Sequence, residues 1–179
     1  MAALKHRLFF TLYPDPETAA RLSGLIDRLR RRHGLTGPRV AQSRLHISLN
    51  FLGEDPSAAI VDRTSEAVSM LVMRPFVVSL DHVMSFKGGE LRPLVLTSDD
   101  GVIGVMNLHT AIHAALADAG LAPLREPIRT PHLTLLRDRR APPEEFIDPV
   151  SWWVREFVLV DSPYGEGRHD VLGRWPLTG

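Results

Sequence analysis

Three observations predict an α+β fold built as two similar lobes. Short apolar runs of strand character alternate with longer segments of helical periodicity. The order strand, helix, strand occurs in each half of the chain, and in both halves the second strand opens on a histidine motif. No flexible linker separates the halves, so they are expected to pack as two lobes of one domain spanning residues 1–179. That length suffices for a sizeable shared core.

The elements follow in order. Residues 7–12, RLFFTL, predict a buried strand, ended by Tyr13-Pro14-Asp15-Pro16. Asp15 can cap a helix and Pro16 suits its first position. Ala19, Leu22, Ile26 and Leu29 recur at helical spacing up to about His33, and Gly34 supplies the stop. Residues 45–52 alternate as a strand. Asp55-Pro56 repeats the Asp-Pro start, and a second helix is expected over about 57–73. Residues 76–83 and 92–98 read as strands, with Asp99-Asp100-Gly101 as a turn. Val105, Leu108, Ile112, Ala115 and Leu116 mark a helix over about 102–119 that stops at Gly120. The strand carrying His132 comes next. The Pro-rich stretch from Ala141 to Pro149 predicts a loop, followed by strands at 152–161 and 169–177.

Composition narrows the function classes. The formal net charge is zero, so no long-range field favours nucleic acid or membrane, and any nucleic-acid site has to be a local patch. Without cysteine there are no disulfides, thiolate nucleophiles or thiolate metal sites. The N-terminal apolar run is too short for a signal peptide and no segment reaches the length of a membrane span. A cytoplasmic protein without a membrane partner is expected.

The chemistry sits in "RLHISLNFLGE" at 44–54 and "TPHLTLLR" at 130–137. On a strand, residues two apart share a face. His46 therefore shares a face with Ser48, and Ile47, Leu49 and Phe51 take the other. His132 shares a face with Thr134, opposite Leu133 and Leu135. A single His-x-Ser on a strand is ordinarily structural. Two copies in matching positions would present two imidazoles and two hydroxyls to a cleft between the lobes. Cleaving a phosphodiester needs a base for the nucleophile and an acid for the leaving oxygen. Imidazole, with a pKa of about 6.5, serves either role near neutral pH, and each such role contributes roughly 10²–10⁴ in rate. Hydroxyls can donate to the nonbridging oxygens as charge builds, so this chemistry requires no metal.

With these flanks the chain resembles the two-histidine phosphoesterases, and among them the bacterial RNA 2′,3′-cyclic phosphodiesterases, also called 2′-5′ RNA ligases. The resemblance covers nearly the whole chain, including "RLFFTLYP" at 7–14, "FLGE" at 51–54 and "REFVLVDS…GRHDVLGRWPL" at the end. It implies two pseudo-symmetric lobes, each a mainly antiparallel sheet with helices on the outer face, around one central cleft. It implies His46 and His132 as the catalytic pair, Ser48 and Thr134 as phosphate-binding hydroxyls, Arg137 as a phosphate contact and Phe51 as an aromatic near the base. Strict alternation puts Phe51 and Arg137 on the face opposite their histidines, so each strand must end or twist before them. The ordinary reading is a core residue for Phe51 and a solvated or ion-paired side chain for Arg137. Departures from the family pattern are Ser48 for the commoner Thr, Arg39-Val40-Ala41-Gln42 where relatives often carry Trp, and His169 where many have Tyr.

The implied reaction converts a 2′,3′-cyclic phosphate on an RNA end or small nucleotide to a 2′-phosphate, with neutral His132 as base and protonated His46 as acid. The reverse reaction would join a 5′-hydroxyl in a 2′-5′ linkage. No cofactor, no metal and no obligate protein partner are expected, and the chain is expected to be a monomer. The alternatives are a related two-histidine phosphodiesterase on a small cyclic nucleotide and a noncatalytic RNA-end binding module. Other motifs add little. His109 and His113 lie four apart on a helix but lack the metalloprotease Glu between them. The basic run "RLRRRH" at 28–33 is ordinarily a solvated face, although it could guide RNA to the cleft. "RDRR" at 137–140 is mixed in sign, and "FKGGE" at 86–90 reads as a hairpin turn and not a phosphate loop.

Overall fold

Alternate residues of the first strand set the two faces of the molecule. The computed structural model describes residues 5–121 and 130–179, so the first four residues of the N-terminal run lie outside the described residues. In strand β1 (His6–Leu12), Leu8, Phe10 and Leu12 are fully buried on one face, while Phe9 packs with Val158 and Val160 in a separate cluster. The other strands are β2 (Ile47–Glu54), β3 (Phe76–Ser85), β4 (Arg92–Thr97), β5 (Leu133–Asp138), β6 (Glu145–Val154), β7 (Glu156–Pro163) and β8 (Asp170–Pro176). The helices are α1 (Pro16–His33), α2 (Ala58–Val68) and α3 (Ile103–Asp118). Side chains of all three helices join Leu8, Phe10 and Leu12 in one core cluster, so the helices cover one face of the sheet. A one-residue slip of β1 would turn that buried row away from the core and is strongly disfavoured.

The strands form an eight-stranded antiparallel sheet in the order β6-β3-β4-β5-β2-β1-β7-β8. Its centre is thin: β2 and β5 pair only at Ile47 and Leu133. On either side stands a four-stranded half, and each half ends at this junction with a histidine strand. In chain order the halves interleave. β1 and β2 belong to one half, β3 to β6 to the other, and β7 and β8 return to the first. All described helices are too short or too polar to cross a membrane.

Local chemistry accounts for most boundaries. Asp15 caps α1 by accepting from the Thr18 amide at 2.8 Å, Pro16 opens the helix, and Gly34 closes it in the left-handed region at φ 61°. The second Asp-Pro behaves differently. Ser57, not Asp55, caps α2, and the Asp55 carboxylate instead accepts the His6 amide at 2.7 Å. α2 also stops at Val68, short of the expected 73: the Ser69 hydroxyl turns back to the Glu66 carbonyl, and Pro75 favours extended backbone before it.

The expected loop from Ala141 to Pro149 is corrected in part, since β6 begins at Glu145. β6 is an edge strand, and its register with β3 shifts between Leu80 and His82, opposite Pro149, which is where a sheet tolerates proline. The single strand expected at 152–161 is two strands. Trp152 and Val154 face the core on β6, Phe157 and Leu159 on β7, and the phase changes at Arg155, where the chain crosses from one half of the sheet to the other. The basic run 28–33 does not approach the cleft. It lies on α1, on the helical face, where Arg32 and His33 both bind Glu145. In "RDRR", Asp138 is buried and Arg139 pairs with Glu90.

Candidate active site

The junction of the two half-sheets brings the histidine motifs together. Extending the Ile47–Leu133 pairing by one residue sets His46 opposite Thr134, and Ser48 opposite His132. An approximate two-fold axis through that pair exchanges the motifs. Each imidazole is latched the same way. His46 Nδ1 lies 2.6 Å from the Arg44 carbonyl, and His132 Nδ1 lies 2.9 Å from the Thr130 carbonyl. A carbonyl only accepts, so both Nδ1 atoms carry the proton, and each Nε2 is left with its lone pair.

His46, Ser48, Phe51, His132, Thr134 and Arg137 all line one cleft of about 540 Å³. Strict alternation separates Phe51 and Arg137 from their histidines, and two β-bulges remove the conflict. Along β2 the pairing with β1 runs from Thr11–Ser48 to Phe9–Phe51, so β2 advances three residues while β1 advances two. Along β5 the pairing with β4 runs from Val95–Thr134 to Leu94–Leu136, which again adds one residue on the histidine strand. One extra residue reverses the alternation and returns Phe51 and Arg137 to the cleft face. Phe51 also packs against the Phe9, Val158 and Val160 cluster, so it has both a core role and a cleft role. The Arg137 guanidinium makes no ion pair among the described residues.

Several further cleft residues lie outside the predicted site set, although Arg39 and His169 stand at departures from the family pattern and Arg7, Arg44 and Ser162 lie within the segments that carry the resemblance. Arg7, Arg39, Arg44, Ser162 and His169 complete the wall, and no Asp or Glu lines it among the described residues. Arg39 is tied to Asp27 at 2.6 Å and to Ser23, and so is positioned by α1. Its loop is held against β5 by the buried Asp138 carboxylate, which accepts the Thr36 and Gly37 amides at 2.7 and 2.6 Å. Those amides and that of Arg140 hold the Asp138 carboxyl below its usual range. Gly37 is required there, because a Cβ would overlap the Arg137 carbonyl oxygen.

A third imidazole stands beside the first. His169 meets His46 edge-on, with ring centroids 4.8 Å apart, and its Nδ1 lies 2.6 Å from the Tyr13 hydroxyl. Burial pushes His46 down to about 4, and the nearby Arg44 and His132 charges add to this against the opposing carbonyl bond. Burial also pushes His169 down to about 4 and lowers His132. Burial raises the Tyr13 phenol to about 12, so it stays a neutral donor. The cleft thus keeps its imidazoles neutral beside a set of arginines, an environment suited to an anion that brings compensating charge. His109 and His113 are remote from it on α3. Their ring centroids are 6.4 Å apart, and no group of three potential metal ligands occurs among the described residues.

The family model of the 2′-5′ RNA ligase superfamily matches residues 14–164, which contain both histidine motifs. The chain belongs to this superfamily. A search of curated proteins found no match. Among solved structures, apo LigT of E. coli is 29% identical, with a TM-score of 0.73 over 99% of this chain and 100% of that one. E. coli LigT complexed with 3′-AMP is 28% identical, with a TM-score of 0.77 over 98% and 99% of the two chains. TT0787 of Thermus thermophilus, at 24% identity and a TM-score of 0.74 over 97% and 98%, shares the fold. This member of the 2′-5′ RNA ligase superfamily therefore has the α+β, eight-stranded architecture of LigT.

Proposed function

We propose that this protein hydrolyses 2′,3′-cyclic phosphate RNA ends to 2′-phosphates without a metal ion. The observation that carries the reading is the two-fold arrangement of latched imidazoles and hydroxyls in a cleft lined by arginines and no carboxylate among the described residues. That E. coli LigT has been crystallised with 3′-AMP, ATP and phosphate supports a nucleotide phosphate as the occupant. His132 Nε2 takes a proton from water as the water oxygen bonds to phosphorus in line. The bond from phosphorus to O3′ breaks, and His46, protonated at Nε2 once the bound phosphate charge raises its proton affinity, delivers that proton to O3′. Ser48, Thr134 and Arg137 donate to the nonbridging oxygens, and Phe51 lies beside the terminal base. The near-symmetry of the cleft leaves acid and base interchangeable in geometry, and their assignment follows the family resemblance. With a 5′-hydroxyl replacing water as the nucleophile, the same steps form a 2′-5′ linkage. The histidine pair works within one chain, as a monomer in the cytoplasm, and residues 1–179 act as one domain.

The test is turnover, with EDTA present, of an oligonucleotide ending in a 2′,3′-cyclic phosphate. Wild type, His46→Ala and His132→Ala are compared, and phosphorus NMR identifies the product. A 2′-phosphate made only by wild type is expected. Turnover of small cyclic nucleotides alone would move the substrate class. Binding without turnover would make the cleft a recognition module, and equal activity in all three proteins would make the histidines structural.

A further inference from the structure

A second groove of about 1060 Å³ adjoins the cleft at Arg44 and His169, which line both. We propose that this groove holds the single-stranded RNA preceding the cyclic phosphate, so that the protein prefers an RNA end over a free mononucleotide. The proposal rests on the cyclic phosphodiesterase reading above and specifies its substrate.

The reaction cleft alone lies within the roughly 300–1,000 Å³ that accommodates one small ligand. A nucleotide chain whose 3′ end sits between the histidines has to leave on its 5′ side, and the groove that adjoins the cleft at Arg44 and His169 gives that exit a direction. Three separate elements converge on that exit with the chemistry of a single-strand track. Arg44 comes from the turn before His46, Trp153 from β6, and Arg155 from the corner between β6 and β7.

Trp153 is 55% exposed, although the neighbouring Trp152 is buried in the core. The Arg155 guanidinium lies over its indole, 5.5 Å from the ring centroid. An indole face open to solvent and backed by a guanidinium is a platform on which a base of any sequence can stack. Arg44 and Arg155 form no ion pair among the described residues, which leaves both cations available to phosphates. The acidic side chains of the groove are already engaged: Glu156 binds Arg174 at 2.5 Å, and Asp15 caps α1. An acidic peptide would find the two cations but has no use for an open indole platform. In a chain of zero net charge, this is the local cationic patch that RNA binding needs.

The experiment compares kcat/KM for a mononucleoside 2′,3′-cyclic phosphate and for a short oligonucleotide with the same terminal nucleotide. Wild type, Trp153→Ala, Trp153→Phe and Arg155→Ala are assayed at two salt concentrations. Wild type is expected to favour the oligonucleotide, more strongly at low salt. Trp153→Ala should lower kcat/KM for the oligonucleotide on the order of ten-fold, mainly through KM, and leave the mononucleotide unchanged. Trp153→Phe should recover most of that loss. A wild type that treats both substrates alike, or variants that slow both equally, would overturn the groove. If folded wild type turned over neither substrate, the phosphodiesterase reading would fall. Anisotropy of a labelled oligonucleotide with a terminal 2′-phosphate would then decide the groove separately: weaker binding by Trp153→Ala supports it, and equal binding overturns it.

Discussion

The two halves of the sheet present the same motif in different surroundings. Both histidines donate Nδ1–H to the carbonyl two residues earlier, and both are followed by a hydroxyl residue and then by a bulge. Around His46 stand the rings of Phe9, Tyr13 and His169, with centroids 5.7, 6.3 and 4.8 Å away. Around His132 the described ring contact is Phe86 at 4.7 Å. The latch fixes tautomer and aim equally in both halves. Proton affinity depends on how much water and charge surround each ring, and there the crowded His46 side stands apart. A repeated motif therefore does not imply two equivalent groups.

Replacing either histidine by alanine tests the likeness of the halves most severely. Each variant should lose roughly 10²–10⁴ in kcat, read in single-turnover assays, and a loss confined to one variant would end the paired reading. The pH profiles test the difference between the halves. kcat/KM reports the free protein, where both imidazoles are lowered, so its maximum should lie on the acid side of about 6.5. kcat reports the complex, in which the bound phosphate charge raises both groups, so its basic limb should move to higher pH. Coincident profiles would mean that the substrate charge does not supply the acid's proton affinity. Such profiles give values belonging to the pair and not to either ring.

A smaller effect is expected at the feature that only the His46 half possesses. Tyr13→Phe removes the hydroxyl that meets His169 Nδ1, so the His169 tautomer should change in nitrogen-correlated NMR, and kcat/KM should fall by about two- to ten-fold, the scale of one neutral hydrogen bond. An unchanged spectrum would show that the pair does not persist in solution. The mildest test is stability against pH. His46 and His169 are held below their usual value, so the unfolded chain binds more protons in acid. Their contribution is complete above about 6.5 and is lost as pH falls toward about 4. Urea midpoints should fall across that window in wild type and fall less in His46→Asn. A flat midpoint would contradict the burial of these rings.

His46, Ser48, His132 and Thr134 were legible because strand alternation is local: two residues decide which face a side chain takes. Phe51 and Arg137 could not be placed by that rule, since a bulge shows only in the register against the neighbouring strand, β1 for one and β4 for the other. His169 and Tyr13 lie 156 residues apart and meet through the pairing of β1, β7 and β8, which no local pattern encodes. The break at Arg155 did have a signal. The buried positions change phase between Val154 and Phe157, and a continuous strand cannot bury both sets on one face.

By itself the sequence determined what short-range physics controls: the capped helix after Asp15, the apolar rows of the strands, and two imidazole-hydroxyl pairs each backed by a core face. Tertiary structure decided which residues share the cleft. It joined the histidine strands at Ile47 and Leu133, reversed the alternation at two bulges, gathered arginines from four separate segments, and set three rings against His46 and the Phe86 ring against His132. Those outcomes depend on register and burial, which belong to pairs of distant segments and not to any one of them.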